Sequence, residues 1–492
     1  MAPGADRKRE RMSSVDTAWL RMDRPSNLMM ICGVLIFSER IRLSRLKATV
    51  SERFLRFPRF RQRPVLTPAG AYWQTDASFD LAAHVVRSAL PAHAGKVELE
   101  ATVGGLMSES LDQRRPLWRF DLVERYGRGS AVIIRIHHCY ADGIALIQVM
   151  LSMTDADCEG KLPGPASPPD PEPPRDPDDP LAALIEPFAD TIKFAVRTGA
   201  LIVDKGAELW NDPAKAVALA GEGSALTSEI AKLLLMKEDS PTRFKGKPGV
   251  AKRAAWAERL PLPDIKAIGR ALDCSVNDVL LSSVAGALGT YLRSHGDDVN
   301  GLSLRALVPV NLRPPEKAWK LGNRFGLVFL DLPLGIENPV ERVYAVRANM
   351  RALKDSYQPV ISLGILAAMG AGPRLLQEQL LSALARNATA VMTNVPGPQS
   401  PLYLGAAPIE SLMFWVPQSG DIGMGVSILS YNDAVQFGLV ADYKLCPDPG
   451  KLIDAVAPEF EKLVLATLLS PWPWTTPPSA QAVERAVLSA AA

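Results

Sequence analysis

The segment Ile136–Gly143, with the sequence IHHCYADG, holds the densest group of side chains capable of chemistry. Two adjacent histidines, His137 and His138, are followed after a short gap by Asp142 and Gly143. A histidine titrates near neutrality, so it can take a proton from a hydroxyl or thiol as that atom attacks an acyl carbonyl. Such a reaction also needs a donor for the oxyanion and a group that holds the loop. The segment therefore predicts a general-base site.

Other assignments of this segment stay open at this point. Adjacent histidines on an extended backbone point in opposite directions, and no third ligand lies nearby, so we expect no metal. Asp142 could serve only as a helix cap. Cys139 could be a nucleophile, but nothing basic marks it apart from the histidines, and a small buried residue is the alternative. The chain has no GxSxG sequence and thus lacks the nucleophile elbow of α/β-hydrolases.

The flanking sequence places the histidines between a strand and a helix. The β-branched run Ala131–Ile136 predicts a buried strand that ends at the histidines. Gly143–Met153 has the apolar content of a helix, with Asp142 as its N-cap. Loops at strand ends are places where a rigid scaffold presents reactive groups.

The rest of the chain mixes strand and helix patterns in two halves, which predicts an α/β (α+β) fold. In the first half, Met29–Phe37 is a predicted strand and Leu43–Phe54 a predicted helix. In the second half, a hairpin is expected across Asn432 and Asp433. Further predicted elements there are the helices Leu262–Leu272, Val276–Leu292 and Val340–Leu353 and the strands Leu302–Val310 and Gly326–Leu332.

The densest group of prolines, nine of the 41, lies between these halves. Leu162–Leu181 reads LPGPASPPDPEPPRDPDDPL, which favours an extended linker, and Ala182–Lys237 then has helical spacing. We divide the chain into a basic tail (1–12), an N-terminal domain (13–160), a linker with a helical connection (161–250), a C-terminal domain (251–470) and a tail (471–492).

Composition excludes several classes of protein. The 492 residues are 47% apolar and 22% charged, which argues against a disordered chain, a coiled coil or a collagen-like fibre. The net charge, 55 − 53 = +2, argues against a nucleic-acid partner. Five scattered cysteines without a CxxC pair argue against a disulfide framework, and no apolar segment reaches the length of a membrane span. We expect a cytoplasmic protein, with a peripheral position at the inner membrane or lipid inclusions left open.

The HHxxxDG pattern resembles the active-site motif of CoA-dependent acyltransferases and nonribosomal-peptide condensation domains. Further segments narrow the resemblance. They are Ser13–Phe37, Pro116-Leu117-Trp118, Asn277-Asp278, Leu307–Arg313 (LVPVNLR), Gly322–Gly326 (GNRFG), Thr393–Pro398 (TNVPGP), and Phe437-Gly438 before Asp442. In this order, from about residue 13 to 465, the chain resembles the bacterial wax ester synthase/acyl-CoA:diacylglycerol acyltransferase family.

This resemblance implies two chloramphenicol-acetyltransferase-like domains with an active-site tunnel at their interface. It also implies a reaction in which a long-chain acyl-CoA and diacylglycerol, or a fatty alcohol, give an ester and free CoA. Acyl-CoA is then a co-substrate, and no metal or redox cofactor is expected. Because these substrates are insoluble in water, peripheral contact with a membrane or lipid droplet is expected. The preferred acceptor, the acyl chain length and the oligomeric state stay open.

Residue roles also follow from the resemblance. His138 is expected to be the general base, with His137 turned away in a supporting role. Asp142 is expected to shape the loop, and Gly143 to permit a tight turn and a close approach of the backbone.

The resemblance also implies substrate contacts. Asn277 is expected to orient the substrate or polarise the thioester carbonyl, although Asn277 or Asp278 could instead cap a helix. Pro116, Leu117 and Trp118 are expected to form a packed wall beside the tunnel. An interface turn is expected at Asn394, Pro396 and Gly397. A basic cluster could meet the CoA phosphates or be a solvated loop, and it comprises Arg243, Lys245, Lys247, Lys252 and Arg253.

Two other functions remain open. One is a condensation-type acyltransferase that uses a carrier protein or an amine acceptor. The other is a non-catalytic protein of the lipid-droplet surface that carries a vestigial site.

Overall fold

A computed structural model describes residues 9–68, 70–156, 236–313, 321–354, 356 and 358–469. The predicted linker at 162–181, almost all of the predicted helical connection at 182–237 and the predicted tail at 471–492 lie outside these residues.

Helices and strands alternate through the first half of the described chain. In chain order they are β1 (Arg9–Arg11), α1 (Ser14–Met22), β2 (Met30–Phe37), α2 (Leu43–Glu52), β3 (Gln62–Thr67), β4 (Gly70–Thr75), α3 (Leu81–His84), β5 (Val85–Arg87), α4 (Lys96–Met107), β6 (Trp118–Tyr126), β7 (Gly129–His137) and α5 (Gly143–Leu151).

The second half has the same mixture. Its elements are β8 (Lys252–Trp256), β9 (Leu260–Pro261), α6 (Leu262–Ala271), α7 (Val276–Ser294), β10 (Ser303–Asn311), β11 (Phe325–Pro333), α8 (Pro339–Lys354), α9 (Gln358–Ala371), α10 (Arg374–Arg386), β12 (Ala390–Pro396), β13 (Tyr403–Leu404), β14 (Ala407–Trp415), β15 (Met424–Tyr431), β16 (Ala434–Asp442), α11 (Pro449–Asp454) and α12 (Val456–Leu469).

The strands form three sheets. A small sheet has the order β1-β4-β3, and a six-stranded sheet has the order β13-β14-β2-β7-β6-β5. A seven-stranded sheet has the order β11-β10-β12-β15-β16-β8, with β9 pairing β16. The six-stranded sheet belongs mainly to the first half of the chain and the seven-stranded sheet to the second.

The second half contributes two strands to the sheet of the first half. β14 pairs antiparallel with β2, in a register that places Trp415 opposite Cys32 and Leu412 opposite Leu35. This pairing covers the edge of β2, which would otherwise present unpaired backbone groups. The sequence predicted two separate halves, but the second half gives strands to the sheet of the first, because β14 completes a sheet whose other long strands lie early in the chain.

The strand that ends at the histidines lies in the middle of the six-stranded sheet. All nine residues of β7 are buried, in keeping with the apolar run Ala131–Ile136, which only Arg135 interrupts. β2 places Met30 opposite His137, and β6 places Trp118 opposite Ile136. The histidine pair thus sits at the end of a strand that is held on both sides.

The two large sheets pack against each other through an apolar layer. Trp256 and Val440 of the seven-stranded sheet meet Cys32, Val34 and Trp415 of the six-stranded sheet in this layer. Face-to-face packing of two sheets buries one face of each. The interface between the halves is therefore a core and not a loose contact.

α1 and α9 meet at close range beside the histidines. Gly370 of α9 lies against the carbonyl oxygen of Ser14, so that a Cβ at this position would overlap the backbone of α1. Arg21 Nη1 donates to the carbonyl oxygens of Gly370 and Gly372 at 3.3 and 3.1 Å. α1 is thereby fixed against the second half of the chain.

The predicted helices and strands of both halves are confirmed within a few residues at their ends. The predicted hairpin is also confirmed, because Asn432 and Asp433 have φ values of 48° and 55° and join β15 to β16. Such left-handed pairs are the geometry of a tight hairpin turn.

Two predictions about local structure were wrong. Residues 9–11 of the expected basic tail form β1, which pairs with β4, and Met12 is buried. Asn394 and Pro396, expected in a turn, belong to β12, because this strand pairs in register with β15 as far as Ser430.

In the part of the chain that the structure describes, no single helix is long and apolar enough to cross a membrane. Within that part, only α6 and α7 taken together have the length and apolar content of a span, and they are joined by a bend of 101°.

Candidate active site at the junction of the two halves

The backbone of the two histidines extends the central strand on both sides. His137 N donates to the carbonyl oxygen of Leu117 at 2.9 Å, and His138 N donates to that of Met29 at 2.7 Å. Consecutive residues of an extended chain point to opposite faces, so the two imidazoles face different surroundings.

The His138 ring stacks on an indole. The ring centroids of Trp19 and His138 are 4.1 Å apart with planes inclined by 16°, and Phe325 lies tilted at 5.7 Å. Trp19 belongs to α1, whereas Phe325 opens β11 in the second half. Nδ1 of His138 is buried and has no hydrogen-bond partner among the described residues. The ring therefore occupies an apolar junction of the two halves.

Burial lowers the pKa of His138 to about 4, and the negative charge of Asp142 opposes this shift. An imidazole with that pKa is neutral at neutral pH, which is the form that a general base needs. The Asp142 carboxylate also favours the imidazolium that forms once the ring takes a proton.

His137 is engaged on the opposite side. Its Nδ1 accepts a hydrogen bond from Cys139 N at 3.1 Å, and its Nε2 lies 3.8 Å from Asp23 Oδ1. Burial and the neighbouring His138 lower the pKa of His137 to about 3. A neutral ring that accepts at Nδ1 carries its proton on Nε2, towards Asp23. These contacts agree with the supporting role expected for His137.

Asp142 uses both carboxylate oxygens for structure. Oδ1 accepts from Ala145 N at 2.9 Å and caps α5, as the sequence predicted. Oδ2 accepts from Arg313 Nη2 at 2.7 Å and from Arg324 N at 2.9 Å. Because Arg313 and Arg324 belong to the second half, Asp142 joins the histidine loop to that half.

A backbone bridge accompanies this ion pair. Gly322 N donates to the carbonyl oxygen of Tyr140 at 3.1 Å, and Asp142 N donates to that of Gly322 at 3.3 Å. Gly322 has a φ of 106°, in a region that side chains other than glycine avoid. Arg313 Nη2 donates to the Gly322 carbonyl oxygen at 2.6 Å. The GNRFG segment is therefore a support for the histidine loop.

A polar chain runs from α1 to the histidine backbone. Asp16 Oδ1 accepts from Asn323 Nδ2 at 2.8 Å, and the same Nδ2 donates to the His138 carbonyl oxygen at 2.8 Å. Burial raises the pKa of Asp16. Asp16 and Trp19 lie one turn apart on α1, so a single helix orients both the backbone and the ring of His138.

The roles of Asp16, Trp19, Asn323 and Arg313 were not predicted from the sequence, although all four lie in segments that carry the family resemblance.

The tight-turn role expected for Gly143 was wrong. Gly143 is the first residue of α5 and is not among the glycines with positive φ. A Cβ built at this position would meet no atom within 4 Å. The residue thus leaves open space beside the capped end of α5.

Pro116, Leu117 and Trp118 form the expected packed wall, and it stands behind His137. The Leu117 carbonyl oxygen accepts from His137 N, and Trp118 Nε1 donates to the Phe60 carbonyl oxygen at 2.8 Å. Pro116, Leu117 and Trp118 are all buried. Substrate contact by these residues remains a prediction.

Asn277 and Asp278 lie at the start of α7. Ser275 caps this helix, and Asp278 Oδ2 accepts from Ser275 N at 2.9 Å in a capping box. Asn277 Oδ1 accepts from Asn394 Nδ2. The ring contacts of His138 are with Trp19 and Phe325, and a role for Asn277 in orienting the substrate remains a prediction.

Several members of the predicted basic cluster have partners within the protein. Arg243 pairs with Asp297 at 2.5 Å, and Lys245 Nζ donates to carbonyl oxygens at the end of α10. Lys252 is buried and pairs with Asp442 at 3.0 Å. The Arg253 guanidinium lies 5.0 Å from the centre of the Tyr443 ring. A role of the cluster towards the CoA phosphates remains a prediction.

Burial raises the pKa of the Cys139 thiol well above its usual value, so the sulfur is held as a thiol and not as a nucleophilic thiolate. Within the described ranges, no group of three or more His, Cys, Asp or Glu side chains is placed to hold a metal ion.

Comparison with known proteins connects this geometry to a family. The profile of the wax ester synthase/diacylglycerol acyltransferase catalytic domain matches residues 12–280, and that of the WS/DGAT C-terminal domain matches residues 321–464. A Mycobacterium tuberculosis protein described as probable diacylglycerol O-acyltransferase tgs1 is 28% identical over 427 residues, covering 85% of this chain and 87% of the relative.

Solved structures show the same fold. The wax ester synthase/diacylglycerol acyltransferase from Marinobacter aquaeolei VT8 superposes with a TM-score of 0.67 at 21% identity, over 94% of this chain and all of that one. The trichothecene 15-O-acetyltransferase TRI3 of Fusarium sporotrichioides gives a TM-score of 0.57 at 12% identity, over 94% and 96%. These likenesses confirm the predicted α/β fold with two chloramphenicol-acetyltransferase-like halves. The chain belongs to the wax ester synthase/diacylglycerol acyltransferase family.

Proposed function

We propose that this chain transfers the acyl group of a long-chain acyl-CoA to the hydroxyl of diacylglycerol or of a long-chain alcohol, with His138 as the general base. The observation that carries the assignment is the neutral, buried His138 ring, which is stacked on Trp19 at the junction of the two halves. Family membership supports the acyltransferase reaction, and the name of the mycobacterial relative supports diacylglycerol as an acceptor.

The reaction needs a single base. The acceptor oxygen gives its proton to His138 and forms a bond to the thioester carbonyl carbon. The carbon–sulfur bond then breaks, and the CoA sulfur takes the proton back from His138. A thioester is already activated, so the site needs proximity and one base, but no covalent enzyme intermediate. The protonated state of Cys139 fits this direct route.

Acyl-CoA as the sole co-substrate, without a further cofactor, is part of this proposal and rests on the same argument. We also retain the cytoplasmic location, since the scattered cysteines fit a reducing compartment.

Peripheral contact with a lipid surface has one structural support. The last turns of α12 expose Leu465, Leu468 and Leu469, the last with 81% of its surface accessible. Residues at this spacing share one side of a helix, and an exposed apolar side is typical of an interfacial helix. Binding to diacylglycerol-containing vesicles should weaken in a Leu465→Ser/Leu469→Ser variant, and unchanged binding would argue against this contact.

The catalytic assignment is tested with purified protein, a long-chain acyl-CoA and either dioleoylglycerol or hexadecanol. Released CoA and the lipid product are measured in parallel. We expect the wild type to release CoA and form the ester in equal amounts, and His138→Ala to lose nearly all turnover while keeping its fold. His295→Ala is the control, because His295 caps the end of α7 away from the site. Near-normal turnover in a folded His138→Ala protein would disprove the role of His138.

An amine or carrier-protein acceptor, as in a condensation-type enzyme, would show as turnover with those acceptors and none with the two hydroxyl acceptors. A non-catalytic lipid-droplet protein would release no CoA with either acceptor.

A further inference from the structure

Three buried polar groups between the two large sheets have no hydrogen-bond partner among the described residues. They are Thr393 Oγ1, Ser427 Oγ and Trp415 Nε1. Thr393, Ser427 and Trp415 are only 4%, 2% and 1% exposed. Buried polar atoms are nearly always hydrogen-bonded in folded proteins, so three such atoms at one place call for an explanation.

The strand register places these groups in one row. Thr393 of β12 lies opposite Ser427 of β15, and Ser427 lies opposite Gly438 of β16. Residues paired across strands point to the same face of a sheet. Trp415 approaches that face from the other sheet, since a Cβ on Gly438 would lie 2.8 Å from Trp415 Nε1. With neighbouring strands roughly 5 Å apart, the row spans about two strand spacings.

The row lies at the end of the sheets that carries the histidines. Trp415 is paired with Cys32, which is paired in turn with Arg135, two residues before His137. On β15, Gly425 shares the face of Ser427, and Gln418 lies against it. Gln418 also lines a pocket between the halves, together with Asn27, Leu28, Met30, Met107, Lys252 and Pro417. Met30 is the residue paired with His137, and both lie on the sheet face that carries Cys32 and Arg135, so the row and the pocket share the side to which His137 points.

The chemistry of the row selects a neutral ligand. A hydroxyl donates one hydrogen bond, and an indole N–H only donates, so the three groups offer three donors. None of the three side chains is charged, and the nearby Lys252 is neutralised by Asp442. Neutral donors in an apolar layer suit a carbonyl oxygen and disfavour a phosphate, whose charge would lack a counterion.

We propose that Thr393, Ser427 and Trp415 form a subsite for a neutral carbonyl group of the substrates. This inference rests on the proposed acyl transfer. Two sources bring such a group, namely the ester of an acylglycerol acceptor and the amides of the pantetheine arm of CoA. A long-chain alcohol brings neither, and this difference separates the two sources.

The test measures KM separately for acyl-CoA, dioleoylglycerol and hexadecanol. Thr393→Val and Ser427→Ala remove the hydroxyls with little change in volume. Thr393→Ser keeps a hydroxyl at position 393 and is compared with Thr393→Val. Ser283→Ala is the matched control, because the Ser283 hydroxyl is equally buried but donates to the Val279 carbonyl oxygen in α7.

A lost neutral hydrogen bond should raise the relevant KM about fivefold. If the carbonyl belongs to the acylglycerol, KM rises for dioleoylglycerol alone. If it belongs to pantetheine, KM for acyl-CoA rises with both acceptors. In either case Thr393→Ser recovers most of the loss, and the thermal midpoint of the empty protein does not fall, because no internal hydrogen bond is removed.

Unchanged KM values for all three substrates in folded Thr393→Val and Ser427→Ala variants would overturn the subsite. A loss of thermal stability with a uniform fall in kcat would also overturn it, because that pattern marks a structural role. A wild type that acylates neither acceptor would instead show that the proposed function itself fails.

Discussion

The ion pair between Asp142 and Arg313 offers a direct test of how the site is held together. It joins the histidine loop of the first half to the end of β10, and the two side chains are 5% and 2% exposed. In the Asp142→Asn variant, the side chain keeps its size and can still cap α5, but it loses the charge that faces Arg313.

The expected magnitude follows from burial. Removing one partner of a buried ion pair costs about 3–5 kcal/mol. Asp142→Asn should therefore lower the free energy of unfolding by about 3 kcal/mol, and Asp142→Ala by roughly 1 kcal/mol more, because the N-cap is also lost. In the Arg313→Met/Asp142→Asn double variant both charges are absent, so no unpaired charge is left buried. This variant should lose about 2 kcal/mol less than the sum of the two single changes.

The assay is urea unfolding followed by tryptophan fluorescence, with the exposed pair Arg374–Glu378 as the control. These two side chains are 78% and 46% exposed, so Glu378→Ala should change the free energy of unfolding by less than about 1 kcal/mol. Two results would refute the view that this pair holds the halves together. One is an Asp142→Asn protein whose free energy of unfolding lies within about 1 kcal/mol of the wild type. The other is a double variant whose loss of stability equals the sum of the losses in the two single variants.

Two further predictions concern the histidines. Because burial lowers the pKa values of His137 and His138 to about 3 and 4 from the ordinary 6.5, the folded protein binds fewer protons than the unfolded chain between these values. Stability should be complete above about pH 6.5 and fall as the pH is lowered towards 4, and thermal midpoints independent of pH in that window would contradict this. Trp19→Ala should lower kcat about tenfold by freeing the His138 ring, whereas Trp19→Phe keeps the stacking and most of the activity. Equal kcat values for the two variants, measured at saturating acyl-CoA, would contradict the stacking role.

Much of the fold could be predicted because local patterns agree with the tertiary structure. The β-branched run before the histidines indicated a buried strand, and Asp142 caps the predicted helix. The left-handed pair Asn432 and Asp433 was visible as a turn signal between two apolar runs. These features depend on residues close together in the chain, so sequence spacing suffices to find them.

Contacts between segments far apart in the chain could not be predicted from such local patterns. The edge strand at residues 9–11 was mistaken for a tail because its partner, β4, lies some sixty residues later. The insertion of β14 beside β2 joins positions nearly four hundred residues apart, as in the pairing of Cys32 with Trp415. The local sequence of neither strand indicates which strand it pairs with, because pairing depends on which sheet edge is free after the other strands have assembled.

The sequence by itself determined the candidate reactive group, the element that presents it and the family. His138 stands in a motif whose residue types suit one kind of chemistry, and periodicity placed it at a strand end. The tertiary structure alone decided the state of that group. Only folding brings Trp19 against its ring, Asn323 to its carbonyl oxygen and Arg313 to Asp142, and only the resulting burial holds the ring neutral. A pKa depends on what surrounds a side chain in space, and those surroundings come from both halves of the chain.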